Sequence, residues 1–329
     1  MLDDRSKRRK FREMIKTGRL IVAPGAHNGL AAKLIERAGF DAVYMTGSGV
    51  ANTLLGVPDV GLLTQTEMTF MASCMARAVD IPVIADADTG YGNAISVMRT
   101  IREFEASGVA GVHMEDQVAP KRCGHIVGKE LIPAEEMIGK IRAAVDARTD
   151  PDFMLIARTD ARGPVGLDEA IRRANLYAEA GADMVFPDAL LSEDEFARFA
   201  AAVRAPKMMN MGGYSVKRTT PKLPLETVEK IGFNFVIYPL AVVRAGVRAE
   251  LDFLQGLKAR GTAFEIDYIE GLKGHPTEGW YEFTGIGDIK ALEEKYLPVD
   301  AMAAKYAAGR GHMPGGSVIV DKADGDRAT

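Results

Sequence analysis

The stretch from Lys121 to His125 places a thiol among charged and mobile neighbours. Cys123 directly follows Lys121 and Arg122, and Gly124 gives the backbone freedom before His125. Cations beside a cysteine predict a thiol whose pKa lies below its ordinary value of about 8.5. Such a thiol, at the end of a β-like run, can act as a mobile acid. A packed cysteine in an ordinary loop is the alternative, and the polar neighbours favour the chemical role.

Carboxylates gather at two neighbouring strand ends. Asp86 and Asp88 follow one apolar run, and Glu115 ends the next. Together with Asp59 they offer hard oxygen ligands, which suit Mg²⁺ or Mn²⁺ with water in the remaining positions, whereas zinc prefers cysteine and histidine. For the Asp-x-Asp pair alone, an Asx-type turn before the helix that follows Asn93 is an equal alternative. The four acids together favour a metal site.

Other strand ends are polar as well. Residues 46–49, Thr-Gly-Ser-Gly, can direct backbone N–H groups at an anionic oxygen. Arg158 has the planar guanidinium that binds a carboxylate in bidentate fashion. Asp188 and Asn210 follow two later strands, each as suited to a structural role as to a functional one. His113, inside a strand, is interpreted as structural.

These side chains share one face only if the strands that carry them are parallel. Apolar runs alternate with helical patterns almost from end to end, which predicts parallel strands of the α/β class. Eight such units predict a closed (β/α)₈ TIM barrel, whose active sites lie at the carboxyl ends of the strands. An open doubly wound sheet is the rival, weakened because no Gly-x-Gly-x-x-Gly follows the first strand. The predicted strands are Leu20–Ala23, Ala42–Thr46, Val83–Asp86, Gly111–Glu115, Phe153–Arg158, Met184–Pro187, Lys207–Met211 and Phe235–Tyr238.

The rest of the chain is predicted to frame this barrel. Residues 3–18 form a polar amphipathic helix before it, with the basic run 7–10 on the solvated face. The catalytic barrel covers residues 1–261 and ends in a long helix over 239–260. Residues 262–329 form a partly helical C-terminal extension, disordered from 321 onward.

Composition excludes several classes of function. The 329 residues are 47% hydrophobic and carry a net charge of −4, which argues against a nucleic-acid partner. Two cysteines imply no disulfide framework and fit a reducing compartment. The amino terminus is charged, without an apolar signal core, and no stretch approaches the roughly 18 apolar residues that cross a bilayer. We therefore expect a cytoplasmic protein without membrane or nucleic-acid partners.

Residues 121–125, Lys-Arg-Cys-Gly-His, resemble the active-site motif of the isocitrate lyase and phosphoenolpyruvate mutase superfamily. The resemblance extends in order over residues 12–260. It includes Tyr44 with the Thr-Gly-Ser-Gly turn, Asp86-Ala-Asp88, Glu115-Asp-Gln, Ala-Arg158-Thr-Asp, Phe-Pro-Asp188-Ala and Tyr238-Pro-Leu. Within the superfamily the chain is most similar to 2-methylisocitrate lyases. It implies a barrel that exchanges its last helix with a neighbour, in a homotetramer built as a dimer of dimers.

The resemblance also implies a Mg²⁺-dependent carbon–carbon lyase, with Mn²⁺ as a substitute. Its substrate is a methylisocitrate-like 2-hydroxy acid, cleaved to pyruvate or a related 2-oxo acid and a dicarboxylate such as succinate. The implied metal residues are Asp86, in direct contact, and Asp59, Asp88 and Glu115, through water. The implied catalytic residues are Cys123 as the acid, Tyr44 (or a metal-linked water) as the base, Lys121 and His125. The implied substrate-binding residues are Thr46, Gly47, Ser48, Gly124, Arg158, Asp188, Asn210 and Arg244.

Three departures from the common methylisocitrate lyase pattern keep other activities open. Thr46 stands where that pattern has Ser, Asp188 where it has Glu, and the segment 210–221 is longer. A 2,3-dimethylmalate lyase or an oxaloacetate hydrolase is therefore the alternative. A phosphonate mutase or hydrolase is disfavoured because those relatives usually lack the Cys-Gly-His unit. A non-catalytic binding barrel conflicts with the polar groups at most strand ends.

Overall fold

Eight parallel strands form the central sheet, in the order that the apolar runs predict. The computed structural model describes residues 3–212, 220–307, 310–312 and 319–321. Four of the strands have the predicted bounds, and the others differ by at most three residues at an end. They are β1 (Ile21–Ala26), β2 (Val43–Met45), β3 (Val83–Asp86), β4 (Gly111–Glu115), β5 (Met154–Thr159), β6 (Met184–Pro187), β7 (Met208–Asn210) and β8 (Phe235–Tyr238).

The sheet closes on itself. Its strands are ordered β6-β5-β4-β3-β2-β1-β8-β7, and β1 pairs with β8 from Ile21 opposite Phe235 to Pro24 opposite Tyr238. A parallel bridge between Val185 and Lys207 joins the remaining edges, β6 and β7. The predicted TIM barrel is thereby confirmed, and all eight strand ends point to one face.

Helices connect the strands. Several begin with a side chain that accepts a hydrogen bond from the first turn, as Asn93 does from the backbone N–H groups of Ile95 and Ser96. A short helix and a π-helical turn, Ala51–Leu55, follow β2. The helices are α1 (Asp4–Lys16), α2 (Gly29–Arg37), α3 (Gly47–Val50), α4 (Gln65–Ala78), α5 (Ala94–Ala106), α6 (Ala134–Ala147), α7 (Leu167–Glu179), α8 (Glu193–Ala202), α9 (Leu225–Ile231) and α10 (Ala241–Arg260).

Helix α1 packs against the amino-terminal end of the barrel. The Phe11 ring meets that of Phe235, at the start of β8, edge to face with centroids 5.2 Å apart. The prediction that the basic run 7–10 is solvated is wrong for two residues, because Lys7 and Arg8 are buried. The Lys7 ammonium donates to the Ala76 carbonyl oxygen at 2.7 Å, and Arg8 pairs with Asp150 at 3.1 Å. Helix α1 therefore covers this end of the barrel with Phe11, Met14 and Ile15.

Two compact units divide the chain, residues 1–248 and 249–329, with the division inside α10. The second unit contains α11 (Thr262–Glu270), α12 (Trp280–Thr284), α13 (Ile286–Tyr296), α14 (Val299–Ala307), and an antiparallel pair, β9 (Arg310–His312) and β10 (Ile319–Asp321). Within it, the Phe253 ring contacts Phe264 and Tyr268 edge to face. Among the described residues, no helix is long and apolar enough to span a membrane. Of the predicted disordered residues 321–329, Asp321 lies in β10, contrary to the prediction, and 322–329 lie outside the described residues. The helix exchange remains a prediction.

Candidate active site

A cavity opens at the carboxyl ends of the strands and brings most of the predicted side chains together. Five more of them lie directly behind its wall, bonded to or paired with residues that line it: Gly47, Asp88, Glu115, Lys121 and His125. Arg244 is exposed on α10 and does not line the cavity. The lining residues are Tyr44, Thr46, Ser48, Asp59, Asp86, Cys123, Gly124, Arg158, Phe186, Asp188, Asn210, Ile237 and Pro239.

Asp86, the last residue of β3, presents one oxygen to a turn and the other to the cavity. Its Oδ1 accepts the Asp88 N–H at 2.9 Å, so the Asx-type turn is present. Its Oδ2 lies 3.3 Å from both the Tyr44 hydroxyl and the Gly47 N–H. A Cβ on residue 47 would lie 2.6 Å from this oxygen, which explains the glycine. Burial alone would raise the pKa of Asp86, but His113 and Lys121 outweigh it and lower the pKa to about 2.

The Lys121 ammonium lies between two of the predicted metal residues. It is buried, 2.5 Å from an Asp59 oxygen and 2.9 Å from an Asp88 oxygen. Burial raises the pKa of Asp88 to about 6, with Lys121 opposing the rise and the Asp86 charge adding to it. A positive charge therefore stabilises these carboxylates in the folded chain.

Glu115, the last residue of β4, has unsatisfied acceptors. Both carboxylate oxygens are buried and accept no hydrogen bond from the described residues, although Arg158 Nε lies 3.2 Å from Oε2. Burial raises the pKa of Glu115 well above its ordinary value. No three metal-binding side chains in the described ranges converge on one point. The all-oxygen donor set and the orphaned Glu115 oxygens fit Mg²⁺, which keeps several of its waters and uses few direct protein ligands.

Arg158 is held in place by carboxylates and an aromatic ring. Two of its nitrogens donate to Asp160, at 2.9 and 3.0 Å, and one donates to Asp188 at 2.9 Å. The guanidinium carbon lies 5.2 Å from the centre of the Phe186 ring. The Arg158 charge outweighs burial and keeps the pKa of Asp188 well below its ordinary value.

Sequence reasoning missed the residues that support Arg158. Asp160, the last residue of the Ala-Arg-Thr-Asp motif, accepts from Arg158 with both carboxylate oxygens. Buried Asp116 in turn accepts the Asp160 N–H at 2.9 Å and the Tyr177 hydroxyl at 2.8 Å. The two-residue spacing of Arg158 and Asp160 on an extended strand end was the available signal, because such residues project on the same side.

Cys123 is buried against the cavity, and the predicted direction of its pKa is wrong. Burial raises the pKa of the thiol to about 11, and the N–H of His125 offsets only part of the rise. The neighbouring cations do not lower it: Lys121 pairs with Asp59 and Asp88, and the Arg122 side chain is exposed. The thiol is therefore protonated at neutral pH, the form that donates a proton.

The loop that carries Cys123 fits closely over the Arg158–Asp188 pair. A Cβ on residue 124 would lie 1.7 Å from Asp188 Oδ2 and 2.6 Å from Arg158 Nη2, so only glycine fits there. His125 follows, with its Nε2 3.1 Å from Asn210 Nδ2. Burial lowers the pKa of His125, which favours its neutral form. The loop therefore brings a neutral acid and a neutral imidazole to the cavity together.

His113, interpreted from the sequence as structural, contacts two residues that line the cavity. Its Nε2 lies 2.8 Å from the Tyr44 hydroxyl oxygen and 3.5 Å from Asp86 Oδ1. Its ring stacks on that of Tyr44, with centroids 5.7 Å apart. Burial lowers the pKa of His113 to about 4. A neutral imidazole next to a phenol can accept the phenolic proton, and its place within a strand gave no sign of this in the sequence.

The chain is similar to known proteins over most of its length. A family model described as phosphoenolpyruvate phosphomutase matches residues 11–257. The chain is 50% identical over 251 residues to 2,3-dimethylmalate lyase of Eubacterium barkeri, covering 76% of this chain and 85% of that protein. It is 45% identical over 252 residues to 2-methylisocitrate lyase of Aeropyrum pernix, covering 77% and 80%.

Two solved structures have the same fold. Oxaloacetate acetylhydrolase in complex with 3,3-difluorooxalacetate superposes with a TM-score of 0.80 at 32% identity, covering 88% of this chain and 97% of that one. Phosphonopyruvate hydrolase in complex with oxalate and Mg²⁺ superposes with a TM-score of 0.77 at 33% identity, covering 89% and 99%. The similarity thus spans the barrel and the whole candidate site.

Proposed function

This chain belongs to the phosphoenolpyruvate mutase and isocitrate lyase superfamily and is a carbon–carbon lyase, and we propose that it cleaves a methylisocitrate-like 2-hydroxy acid in a Mg²⁺-dependent reaction. The bond between the hydroxyl-bearing carbon and its neighbour breaks. The hydroxyl-bearing fragment leaves as pyruvate, and the other fragment takes up a proton and leaves as a dicarboxylate such as succinate.

One observation carries the proposal: a protonated thiol, a carboxylate at a strand end and a fixed guanidinium line the same cavity. Cys123, Asp86 and Arg158 come from three different segments and meet there. Retro-aldol cleavage needs a group that holds the carboxylate of the substrate, a group that stabilises the developing oxyanion, and an acid for the carbanion. Arg158 meets the first requirement and Cys123 the third, and Asp86 would meet the second through the Mg²⁺ that it would hold.

Substrate binding is assigned to the side of the cavity that Arg158 occupies. Asp160 and Asp188 fix the guanidinium, so it needs little reorganisation to hold a carboxylate. The Thr46 and Ser48 hydroxyls line the same cavity and can donate to the 2-oxo acid half of the substrate.

Tyr44 is assigned as the base that removes the proton from the substrate hydroxyl. The phenol oxygen is 2.8 Å from His113 Nε2. Burial lowers the pKa of His113 to about 4, which leaves the imidazole neutral at pH 7 but weakly basic, and the Asp86 charge opposes this lowering. As the Tyr44 oxygen takes the substrate proton, its own proton passes to His113 Nε2. Asp86, 3.5 Å from the imidazole, stabilises the cation that forms.

Asp86 would hold Mg²⁺ directly, with Asp59, Asp88 and Glu115 holding its water ligands. The ion supplies a Lewis acid for the oxygen that develops negative charge when the carbon–carbon bond breaks. Support comes from the orphaned Glu115 oxygens and from the complex of the related phosphonopyruvate hydrolase with oxalate and Mg²⁺.

Protonation of the departing carbanion is assigned to Cys123. Burial keeps the thiol protonated, with a pKa of about 11, so the proton is still present when the carbanion forms. The thiolate that results accepts from the His125 N–H, which favours the charged form. The His125 ring and Asn210 lie beside it and can bind the carboxylate of the departing fragment.

A pyruvate-coupled assay with 2-methylisocitrate tests the proposal. We expect pyruvate and succinate in equal amounts with Mg²⁺, and no product after EDTA treatment until Mg²⁺ or Mn²⁺ is restored. Equal activity with and without the metal would refute the metal-dependent mechanism. No product from any 2-hydroxy dicarboxylate or tricarboxylate would refute the lyase assignment.

Cleavage of 2,3-dimethylmalate is the second candidate, favoured by the higher identity to that lyase, 50% against 45%. Pyruvate would form in both reactions, so mass spectrometry of the second product separates them: succinate from methylisocitrate, propionate from dimethylmalate. Oxaloacetate hydrolysis, favoured by the fold similarity to the acetylhydrolase, would instead give oxalate and acetate. Phosphorus NMR with phosphonopyruvate tests the phosphonate alternative.

We also propose that the enzyme is a cytoplasmic homotetramer with exchanged terminal helices. Leu251 and Leu254, three residues apart on α10, are 52% and 57% exposed, as are Ile266 and Ile269 on α11 at 56% and 57%. Apolar side chains in such numbers favour burial against another subunit. Light scattering should give four times the chain mass of 35.5 kDa. A monomeric mass would refute the assembly.

A further inference from the structure

Tyr91 stands in the turn that follows Asp86 and Asp88, in an unfavourable backbone conformation. Its φ is +58°, between Gly90 at +86° and Gly92 at +145°. Glycine adopts this region freely, whereas a tyrosine is held there only by its surroundings. Its ring packs on the hydrophobic cluster that includes Val97 and Ile101 of α5. The turn therefore directs the Tyr91 ring inward.

The Tyr91 hydroxyl is buried and lacks a hydrogen-bond partner among the described residues. Its oxygen has no contact with solvent and no hydrogen bond to any of the described residues. A buried tyrosine hydroxyl usually finds a partner. The charged groups that act on this hydroxyl are the carboxylates of Asp88, Asp86 and Glu115, here called the acid cluster, and the Lys121 ammonium, which opposes them. Tyr91 therefore places an unpaired donor and acceptor beside that cluster.

Glu115 provides the complementary observation. Both of its oxygens are buried acceptors without a hydrogen bond. Burial, followed by the charges of Asp88 and Asp86, raises the pKa of Tyr91 well above its ordinary value, so the phenol stays protonated. A water bound to a cation is a strong donor, and a neutral phenol can accept from it while donating to a carboxylate. Such a water would satisfy the orphaned groups on both residues.

We propose that Tyr91 is a positioning residue for Mg²⁺: its hydroxyl accepts a hydrogen bond from a water on the ion and donates one to the carboxylates of the acid cluster. This inference rests on the metal dependence of the proposed function. Tyr91 acts through that water and does not touch the substrate. Groups that orient the ligands of a metal typically contribute about 10-fold or more to its affinity.

Replacement of Tyr91 by phenylalanine tests the role, because it removes one oxygen and keeps the ring. Mn²⁺ binding to the full-length protein is measured by the EPR signal of free Mn²⁺, without substrate, and thermal unfolding is measured after EDTA treatment. We expect Tyr91→Phe to weaken Mn²⁺ binding about 10-fold. The melting temperature of the EDTA-treated variant should equal or exceed that of the wild type, because an unsatisfied hydroxyl has been removed.

Tyr177→Phe is the matched control. The Tyr177 hydroxyl donates to Asp116 at 2.8 Å, so its loss should lower the melting temperature while Mn²⁺ affinity stays within about twofold. Unchanged Mn²⁺ affinity in Tyr91→Phe would overturn the inference and leave the proposed function intact. A lower melting temperature in the EDTA-treated Tyr91→Phe variant, with unchanged affinity, would show a merely structural hydroxyl and overturn it too. Failure of the wild type to bind Mn²⁺ would overturn the metal dependence and this inference together.

Discussion

Replacing Gly124 by alanine tests whether the cysteine loop must close onto Arg158 and Asp188. The added methyl group would lie 1.7 Å from Asp188 Oδ2 and 2.6 Å from Arg158 Nη2. Both distances are shorter than any non-bonded contact allows, and both neighbours are buried and paired with each other at 2.9 Å. Either the ion pair separates or the loop stays away from it.

The loss of activity expected for Gly124→Ala follows from the buried Arg158–Asp188 ion pair. Disrupting a buried, hydrogen-bonded charge pair typically costs about 3–5 kcal/mol. Because each 1.4 kcal/mol or so changes a rate tenfold, we expect kcat/KM to fall at least about 100-fold. The loss should appear whether the loop or the pair gives way, since Cys123 and Arg158 must face the substrate together.

Steady-state kinetics of pyruvate formation measure the effect, and Gly139→Ala in α6 is the control. No atom lies within 4 Å of a Cβ built on Gly139. That variant should keep wild-type kcat/KM and gain about 0.5–1 kcal/mol of helix stability. The reasoning is refuted if Gly124→Ala retains kcat/KM within about threefold of the wild type while its fold, checked by circular dichroism, is unchanged.

The remaining predictions concern three other groups of the site. Cys123→Ser should lose at least about 100-fold in kcat, since a serine hydroxyl is a much weaker acid, while Mn²⁺ affinity measured by EPR stays the same; unchanged turnover would mean that the thiol is not the proton donor. Arg158→Lys should raise KM and lower kcat/KM about 100-fold, because an ammonium cannot keep the planar contacts to Asp160 and Asp188; kinetics within about threefold of the wild type would contradict this. The pKa of His113 is lowered from 6.5 to about 4, so its neutral form stabilises the fold above pH 6.5, and that stability is lost as the pH falls toward 4. The free energy of unfolding of the wild type, measured with urea and compared with that of His113→Gln, should therefore fall by about 3 kcal/mol between pH 6.5 and pH 4. Parallel pH profiles of the two proteins would rule out this effect of His113.

The strands and the face they share could be predicted because apolar runs of the right length have few alternative structures. Asp86, Glu115 and Arg158 stand at the ends of such runs, and the ends of parallel strands must meet on one face. Arg244, assigned only by resemblance, lies exposed on a helix, where no such rule fixes its direction.

The sequence predicts which residues form the site better than it predicts their pKa values and their contacts. Neighbours in sequence suggested a lowered pKa for Cys123, but burial decides the direction, and Lys121 turns toward Asp59 and Asp88. The partnership of His113 with Tyr44 joins residues 69 positions apart, which no local pattern reveals. The hydrogen bond that the Asp160 N–H donates to Asp116 joins residues 44 positions apart, and no local pattern reveals it either. Contacts between residues far apart in the sequence set the pKa values of the site, and local sequence patterns do not predict those contacts.

The ammonium of Lys121 belongs to the same loop as Cys123 yet neutralises acids on the barrel wall. If that loop moved away from the barrel, Asp59 and Asp88 would lose the ammonium that lies between them. The position of the loop and the charge balance of the barrel wall are thus coupled through Lys121. A movement that carried Cys123 away from the cavity would therefore also change the charge beside the carboxylates that would hold the metal waters.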